Sequence, residues 1–367
     1  MERKTMIVSR NEISEELKRS TKTRWITAAI AIFTVIPVIF LGEWPMLIFI
    51  MFVLGVAVWE MLHVTGQKYR ADVYFFMYLF AYLLTFWPII RGIITWAIND
   101  CADTWTLYYE FDAIYLSVIV LSSMLFVFFY IVVLHQYFTV RDACFFFTMI
   151  VFISLGLQGI LYIRFIPQHI FRYDRPQELA YFSPYNLFGS TTLLIYCCLA
   201  CFLNDAGAYF VGIYFGKHKL NPRISPKKTW EGFIGGIVIA TLSSFAFGMI
   251  LAGCGHPLLP FVSPDPSFSA VTDGVAKTSM LDLNHWYNIL ILSIALPLLA
   301  TLGDFVFSSI KRYYEIKDFG HIMPGHGGIL DRLDSLIFVF AGASLFVAIF
   351  ANISKGFNFF IWEPFAC

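Results

Sequence analysis

The sequence predicts an all-α, polytopic membrane protein with about nine transmembrane helices and a cytosolic N-terminus. Its 367 residues are 59% hydrophobic and only 14% charged, and the mean hydropathy is +0.71. A soluble domain carries about 45–50% apolar and about 25% charged residues, so this chain lacks the polar side chains to cover a water-facing surface. No polar stretch reaches the ~50 residues that a separate soluble domain needs. The 25 basic and 25 acidic residues cancel, which argues against a nucleic-acid partner.

Nine apolar runs have the length that a membrane-spanning helix needs, roughly 17–25 residues. The first run follows a basic leader and has no small-residue cleavage pattern behind it, so we interpret it as a retained span and not as a signal peptide. The predicted spans are Trp25–Leu41, Pro45–Leu62, Val73–Ile90, Ala113–Leu134, Ala143–Ile163, Leu187–Phe215, Gly232–Gly255, Trp286–Ile310 and Leu333–Ile353.

These spans divide the chain into four parts. Residues 1–24 form a basic cytosolic segment, and residues 25–180 contain spans one to five. Residues 181–354 contain spans six to nine with their polar cytosolic loops, and we expect any chemistry to lie there. Residues 355–367 form a short C-terminal tail.

The distribution of Lys and Arg predicts the orientation. With nine spans, the N-terminus and the loops after even-numbered spans share one side of the membrane. Of the 25 Lys and Arg residues, the six on the other side are Arg91, Arg164, Arg172, Arg175, Lys277 and Lys355. The positive-inside rule therefore predicts that the N-terminus is cytosolic.

Three clusters of polar residues interrupt the apolar pattern toward the cytosolic side. Ionisable residues in spans are costly and usually face a cavity or a partner inside the bundle. The first cluster is Asn204-Asp205 in span six, with Tyr209 about one turn later. An interhelical hydrogen bond from Asn204 is the structural alternative, but the adjacent carboxylate favours a functional role.

The second cluster is the loop Ser225–Gly232, which contains two adjacent lysines. Ser225 followed by Pro226 predicts a helix start, with Ser225 as N-cap and Pro226 at the first helical position. Lys227 and Lys228 beside a helix N-terminus then predict an anion site. A basic patch that binds anionic lipid headgroups is the alternative.

The third cluster, at the end of span eight and the start of span nine, is the densest. Asp304, Ser308 and Lys311 follow i, i+4, i+7 spacing and share one helical face. Pro297, earlier in the same span, is expected to free helix carbonyls near the site. The charged residues of this cluster are Asp304, Lys311, Arg312, Lys317, Asp318, Asp331, Arg332 and Asp334.

The loop of this third cluster has the composition of a phosphate site. Its glycine-rich turn, Pro324–Gly328, leads into span nine, where Asp331 and Asp334 are i, i+3 neighbours. Such a turn lets backbone N–H groups approach phosphate oxygens, and carboxylates are hard oxygen ligands that suit Mg²⁺. An interhelical turn with charges at its rim is the alternative, which the density of charge disfavours.

Carboxylates, basic side chains and glycine N–H donors at a cytosolic membrane face predict phosphoryl-type transfer. Such a set neutralises a polyphosphate and positions it for in-line displacement. We expect a cytosolic nucleotide as one substrate and a lipid as the other.

Three blocks of the sequence resemble phosphatidate cytidylyltransferases, also called CDP-diacylglycerol synthases. The stretch Ser308–Asp334 resembles the family signature, and Ser225–Phe233 and Asn204-Asp205 with Tyr209 are similar to two other recurring blocks. The resemblance covers roughly residues 185–352, while the earlier residues match only in hydropathy and in the basic leader. The run Lys317–His321 and the Ser225 block look closer to eukaryotic members, which implies the endoplasmic reticulum membrane.

The resemblance implies transfer of a cytidylyl group from CTP to phosphatidate. The products would be pyrophosphate and CDP-diacylglycerol, a precursor of phosphatidylinositol, phosphatidylglycerol and cardiolipin. It also implies Mg²⁺, a second monovalent cation such as K⁺, a homodimer, and an active site that faces the cytosol.

The resemblance also assigns roles to residues. Asp304 and Asp331 would be the principal cation ligands, with Asp334 and Asp205 near them. The groups that hold phosphates of CTP or phosphatidate would be Ser225, Lys227, Lys228, Ser308, Lys311, Arg312 and Lys317, and the phosphate-facing turn would be His326, Gly327 and Gly328. Asn204 and Arg332 complete the expected substrate-binding set. We expect the chemistry itself to depend on Asp304, Asp331, Lys311, Arg312 and Lys317.

Two alternatives stay open at this level. A CTP-dependent polyprenol or phytol kinase would transfer the γ-phosphate to a membrane lipid and release CDP. An ion-coupled transporter also places carboxylates in the membrane, but its site lies near the midplane between related halves. Here the polar residues crowd one face, which favours the enzyme.

Overall fold

A computed structural model describes residues 25–27, 29–41, 43–99, 112–174, 191–256, 258–259, 281, 283–325 and 327–354. The predicted N-terminal segment 1–24, the tail 355–367 and His326 lie outside these residues. The predicted boundary between residues 180 and 181 also lies outside them.

Nine apolar helices follow one another through the described part of the chain. They are α1 (Trp25–Leu41), α2 (Glu43–His63), α3 (Ala71–Asn99), α4 (Asp112–Leu134), α5 (Val140–Asp174), α6 (Thr192–Phe215), α7 (Trp230–Gly253), α8 (Trp286–Tyr313) and α9 (Leu330–Ser354). Within the described residues, six of them are long and apolar enough to cross a membrane, while α1, α3 and α4 hold shorter apolar segments. The predicted all-α polytopic fold is therefore confirmed, and the count of nine spans stays a prediction.

Helix α5 is longer than the sequence predicts, so Arg164 lies within the helix and not in a loop. The predicted span ended at Ile163, which placed Arg164 in a loop, but α5 continues to Asp174. The Arg164 side chain is fully buried, and its Nε and Nη2 donate to the carbonyl oxygens of Ile39 (2.9 Å) and Phe40 (3.3 Å). The last carbonyls of a helix lack intrahelical partners and attract cations. Placing Arg164 in a loop was therefore wrong, because it binds the C-terminal end of α1.

Helix α9 packs directly against α5, which belongs to the N-terminal half. A Cβ atom added at Gly156 would lie 2.6 Å from Cα of Ile337, and one added at Gly159 would lie 2.5 Å from the carbonyl oxygen of Phe340. Small residues let membrane helices approach this closely. The helix that begins with Leu330-Asp331 is thereby held against the N-terminal half.

A small antiparallel hairpin joins α6 to α7, with β1 at Lys219–Asn221 and β2 at Ser225–Thr229. The prediction that Ser225 caps a helix is wrong. Thr229 is the N-cap, its hydroxyl accepts the N–H of Gly232 at 3.2 Å, and the helix begins at Trp230. Pairing with β1 satisfies the backbone of the segment in an extended form, and Pro226 is tolerated because an edge strand need not donate every N–H. Lys227 and Lys228 therefore lie on a strand.

The polar loops gather at one end of the bundle. At the start of α1, Thr27 Oγ1 donates to the carbonyl oxygen of Pro324 at 3.0 Å. Tyr314, just after α8, packs against Phe145 in the first turns of α5, with ring centroids 4.9 Å apart. This is the end that the positive-inside rule predicts to be cytosolic.

Candidate active site

The first ion pair of the site joins the hairpin to α8. Lys228 Nζ donates to Asp304 Oδ2 in a close ion pair and stands 4.6 Å from the centroid of the Phe305 ring. Ser308 Oγ donates to the other Asp304 oxygen, Oδ1, at 3.2 Å. The predicted shared face of Asp304 and Ser308 is confirmed, and Lys228 reaches this face from β2.

The second ion pair joins the end of α8 to the start of α9. Lys311 Nζ donates to Asp331 Oδ1 at 2.9 Å and lies 3.8 Å from Asp334 Oδ2. The Lys311 side chain is 15% exposed and that of Asp331 only 4%. Water screens such a pair less than a surface pair, so the interaction is stronger than most exposed ion pairs.

Asp331 also organises the loop that precedes it. Its second oxygen, Oδ2, accepts the backbone N–H groups of Phe319 (2.8 Å) and Gly328 (3.0 Å). A carboxylate in the first turn of a helix is favoured by the helix dipole and by charge-assisted bonds to N–H groups. Asp331 therefore holds both ends of the loop around itself.

The glycine-rich turn is tight and internally bonded. Gly325 and Gly327 have φ values of +77° and +87°, a region that glycine enters at little cost. Met323 and Gly327 exchange two backbone hydrogen bonds, of 2.9 and 3.1 Å. The N–H of Gly327 is thus engaged, as is that of Gly328, which donates to Asp331. The predicted phosphate-facing role of Gly327 and Gly328 would require these N–H groups to leave their present acceptors, and it stays a prediction.

Four carboxylates converge near the two lysines. Asp205 on α6 lies close enough to Asp304 for the two carboxyl groups to interact electrostatically. Asp334 interacts in the same way with both Asp205 and Asp304. Together with Asp331 they outnumber the ammonium groups of Lys228 and Lys311.

A divalent cation fits this network by donor chemistry, because carboxylate oxygens suit Mg²⁺. Among the described residues, however, no group of three or more His, Cys, Asp or Glu side chains is arranged to hold a metal. Lys228 and Lys311 are bonded to two of the carboxylates, so a metal ion that used those oxygens would displace the lysines.

Asn204 makes the interhelical hydrogen bond that was the structural alternative to a substrate-binding role. Its side chain is buried, and Nδ2 donates to Thr301 Oγ1 of α8 at 3.0 Å. Its Oδ1 is buried without a hydrogen-bond partner among the described residues. The amide therefore joins α6 to α8, and its predicted contact with substrate stays a prediction.

Pro297 does free a carbonyl, but not for the polar cluster. A proline lacks the N–H that would bond to the carbonyl four residues earlier, which here belongs to Ser293. That carbonyl oxygen accepts Thr241 Oγ1 from α7 at 3.1 Å. The freed acceptor therefore joins α7 to α8 and makes no bond to the polar cluster.

The remaining predicted residues are exposed or only partly buried. Arg312 is exposed, and its Nε donates to the carbonyl oxygen of Ile224 at 3.1 Å, which holds the turn of the hairpin against α8. Lys227, Lys317 and Arg332 are exposed, and Ser225 is partly buried.

A cavity of about 720 Å³ opens at the same end of the bundle but is lined by other residues. Its walls are Gln67, Thr139, Val140, Arg141, Asp142, Tyr313 and Tyr314. Burial raises the pKa of Tyr314 to about 12, so this phenol stays neutral at physiological pH. None of the predicted site residues lines this cavity.

The sequence analysis did not single out two carboxylates that bond to the backbone of the site loops. Glu231 accepts the N–H of Lys217 (3.1 Å) and of His218 (3.2 Å) and bonds His218 Nδ1 at 2.6 Å, which closes the base of the hairpin. Glu60 of α2 is fully buried and accepts the N–H groups of Ile329 and Leu330. A lone carboxylate in the apolar run of span two was the available signal, because ionisable residues in spans are costly.

Comparison with known proteins agrees with this geometry. The sequence matches the model of the cytidylyltransferase family over residues 22–350. The chain belongs to the cytidylyltransferase family. The predicted resemblance is thus confirmed, and the match extends into the N-terminal helices, which resemble the family in the sequence only by hydropathy and by the basic leader.

Several bacterial proteins named phosphatidate cytidylyltransferase are similar to this cytidylyltransferase. The protein of Staphylococcus haemolyticus (strain JCSC1435) is 30% identical over 318 residues, which cover 87% of this chain and 95% of that protein. The protein of Bacillus subtilis (strain 168) is 38% identical over 160 residues, 44% of this chain and 49% of that protein. The protein of Mycobacterium leprae (strain TN) is 40% identical over 144 residues, 39% of this chain and 36% of that protein. Because these relatives are bacterial, the eukaryotic character of the chain stays a prediction.

Proposed function

We propose that this cytidylyltransferase transfers the cytidylyl group of CTP to phosphatidate, giving CDP-diacylglycerol and pyrophosphate. The family and the names of the similar bacterial proteins support this choice of substrates. The observation that carries it is the pairing of Lys228 with Asp304 and of Lys311 with Asp331 at one end of an apolar helix bundle. Lysines that can bind phosphates therefore lie beside carboxylates that can bind a metal ion.

The ion pairs are exchanged when substrates bind. Phosphate oxygens form strong charge-assisted hydrogen bonds with ammonium groups, so the phosphates of CTP compete with the carboxylates for Lys228 and Lys311. Asp304, Asp331 and Asp334 would then hold Mg²⁺. When bound, Mg²⁺ neutralises charge on phosphate oxygens and on the leaving pyrophosphate.

The reaction is an in-line displacement at the α-phosphorus of CTP. A phosphate oxygen of phosphatidate forms the new bond to this phosphorus. The bond from the α-phosphorus to the oxygen that bridges to the β-phosphorus breaks, and pyrophosphate leaves with its electron pair. An ionised phosphate is already a nucleophile and needs no base. The protein therefore contributes position and charge, through Lys228, Lys311 and the hydroxyl of Ser308.

The location and partners belong to the same proposal. The end of the bundle that holds the candidate active site also carries the basic loops. We therefore propose that this end faces the cytosol, where CTP is available. We further propose the endoplasmic reticulum membrane, a homodimer, and a second monovalent cation such as K⁺. The product would supply phosphatidylinositol, phosphatidylglycerol and cardiolipin synthesis.

A product assay tests the reaction. Purified protein in detergent receives Mg²⁺, phosphatidate and CTP labelled at either the α- or the γ-phosphate. We expect α-label in a chloroform-soluble lipid, release of pyrophosphate, and loss of both with Asp331→Asn. The matched control is Asp72→Asn, which removes a carboxylate that pairs with His135 at 2.8 Å outside the site and should keep activity. Transfer of γ-label to a lipid would instead indicate a kinase, and no label in any lipid would contradict the proposal.

A further inference from the structure

Glu60 is a buried carboxylate that connects the two halves of the protein. It lies in the last turn of α2, is 0% exposed, and accepts the N–H of Ile329 at 2.9 Å through Oε1 and the N–H of Leu330 at 2.8 Å through Oε2. The first N–H groups of a helix have no acceptor within their own helix. A side chain of α2 therefore supplies the acceptors at the start of α9, which lies 270 residues further along the chain.

Two glycines of the loop make room for this carboxylate. A Cβ atom added at Gly328 would lie 2.5 Å from both Glu60 oxygens, and one added at Gly320 would clash with Oε1. Neither glycine is required by a positive φ value. The close approach of Glu60 therefore explains why glycine, which has no Cβ atom, stands at both positions.

The backbone N–H groups that bond to Glu60 directly follow one that bonds to Asp331. The N–H of Gly328 donates to Asp331 Oδ2, and the next two N–H groups along the chain donate to Glu60. Three consecutive N–H groups are thus divided between two carboxylates from opposite halves of the chain. A shift of Glu60 would move the backbone that places Asp331 beside Lys311.

We propose that Glu60 is a positioning residue for the active site. It holds the start of α9 so that Asp331 and Lys311 keep their alignment with the pair Lys228 and Asp304. The N-terminal helices are then part of the catalytic apparatus and more than a membrane anchor. The kinetic consequence of this inference rests on the proposed function, whereas its structural consequence does not.

Amide hydrogen exchange tests the structural consequence on the full-length protein in detergent, without CTP or lipid substrate. Glu60→Gln keeps the size of the side chain but can accept with one oxygen only, and its NH₂ group would face a backbone N–H. We expect peptides that cover residues 319–331 to exchange about tenfold faster, the effect of one lost buried hydrogen bond. Unchanged exchange of these peptides would overturn the proposal.

The matched control for exchange is Asp142→Asn. Asp142 is another buried carboxylate of the N-terminal half, and its Oδ2 accepts the N–H and the hydroxyl of Thr139 at 3.0 and 2.8 Å. Its loss should destabilise the same half without altering exchange of residues 319–331. Equal acceleration in both variants would show a general loosening and would also overturn the proposal.

Enzyme kinetics separate positioning from simple loss of folded protein. In Glu60→Gln we expect a lower kcat and an about tenfold higher Mg²⁺ concentration for half-maximal rate, because a displaced Asp331 holds the ion less well. A purely structural defect lowers the amount of active enzyme and leaves the Mg²⁺ dependence unchanged. Faster exchange without a shift in Mg²⁺ dependence would overturn the positioning role.

Failure of the proposed function and failure of the Glu60 proposal give different results. If wild-type protein forms no CDP-diacylglycerol, the proposed function fails, while hydrogen exchange still decides the role of Glu60. If Glu60→Gln does not accumulate, Gly320→Ala presses on the same carboxylate from the loop side. It should show the same faster exchange and the same shift in Mg²⁺ dependence.

Discussion

Lys311 Nζ lies 2.9 Å from Asp331 Oδ1 and thereby joins the last turn of α8 to the first turn of α9. The same ammonium group lies 3.8 Å from Asp334 Oδ2, so one cation serves two carboxylates about one turn apart. In the proposed function, phosphate oxygens would replace Asp331 as the partner of Lys311, and a metal ion would replace Lys311 as the partner of the carboxylates.

Loss of Lys311 should abolish most activity. Lys311→Gln removes a cation that we assign to the transferring phosphates, and such a group typically contributes about 100-fold or more to the rate. We expect kcat/KM for CTP to fall at least about 100-fold in the product assay. The control is Lys219→Gln, an exposed lysine of β1, which should keep activity. A Lys311→Gln enzyme with wild-type rates would contradict the assignment.

Loss of the Asp304 charge should act through the metal and the hairpin together. Asp304→Asn weakens its bonds with both Lys228 and Ser308. We expect lower kcat and a higher Mg²⁺ requirement, measured as the rate against Mg²⁺ concentration at saturating CTP. Asp318→Asn, in the neighbouring loop, is the comparison, and an equal response of both variants would argue that only the total charge matters.

The base of the hairpin should control nucleotide affinity. Glu231→Gln weakens the hydrogen bonds of this side chain with the Lys217 N–H and with His218, so β2 and Lys228 become less ordered. The expected result is a several-fold rise in KM for CTP with a smaller change in kcat, and faster proteolysis between residues 218 and 229. Glu315→Gln, an exposed change just after α8, should alter neither quantity.

Close packing of α5 on α9 should be sensitive to one added methyl group. In Gly159→Ala the new Cβ would lie 2.5 Å from the carbonyl oxygen of Phe340, and overpacking of this kind costs about 1–3 kcal/mol. We expect a lower Tm in detergent. Gly253→Ala is the matched control, since no atom lies within 4 Å of its added Cβ. Equal Tm values for the two variants would show that the contact is not tight.

The orientation can be read from cysteine labelling in sealed membranes. Cys254, just after α7, is exposed and lies at the end of that helix opposite the hairpin. With the other six of the seven cysteines replaced, we expect a membrane-impermeant thiol reagent added from the cytosolic side to leave Cys254 unmodified. The same reagent should modify a cysteine placed by Arg223→Cys in the hairpin turn. The reverse pattern would invert the predicted topology.

Local sequence patterns were sufficient for the helices and for contacts within one helix. Hydropathy alone predicted the apolar helices of the described residues, because a bilayer requires a long apolar run with its backbone bonded internally. The spacing of Asp304 and Ser308 likewise predicted that they share a helical face, since residues four apart are neighbours on a helix. The same local reasoning failed at Ser225, where pairing with a second strand outweighed the preference of Ser-Pro for a helix start.

The composition of the sequence determined that this chain is a membrane-embedded helical protein, and its polar blocks indicated a cytidylyltransferase. Only the tertiary structure decided that Lys228 pairs with Asp304, 76 residues away, and that Glu60 supplies the acceptors for Ile329 and Leu330. The reason is physical. Periodicity and hydropathy describe neighbours along one helix, whereas contacts between distant segments depend on how closely helices pack, which here is set by glycines such as Gly159 and Gly328 that bring separate backbones and side chains together.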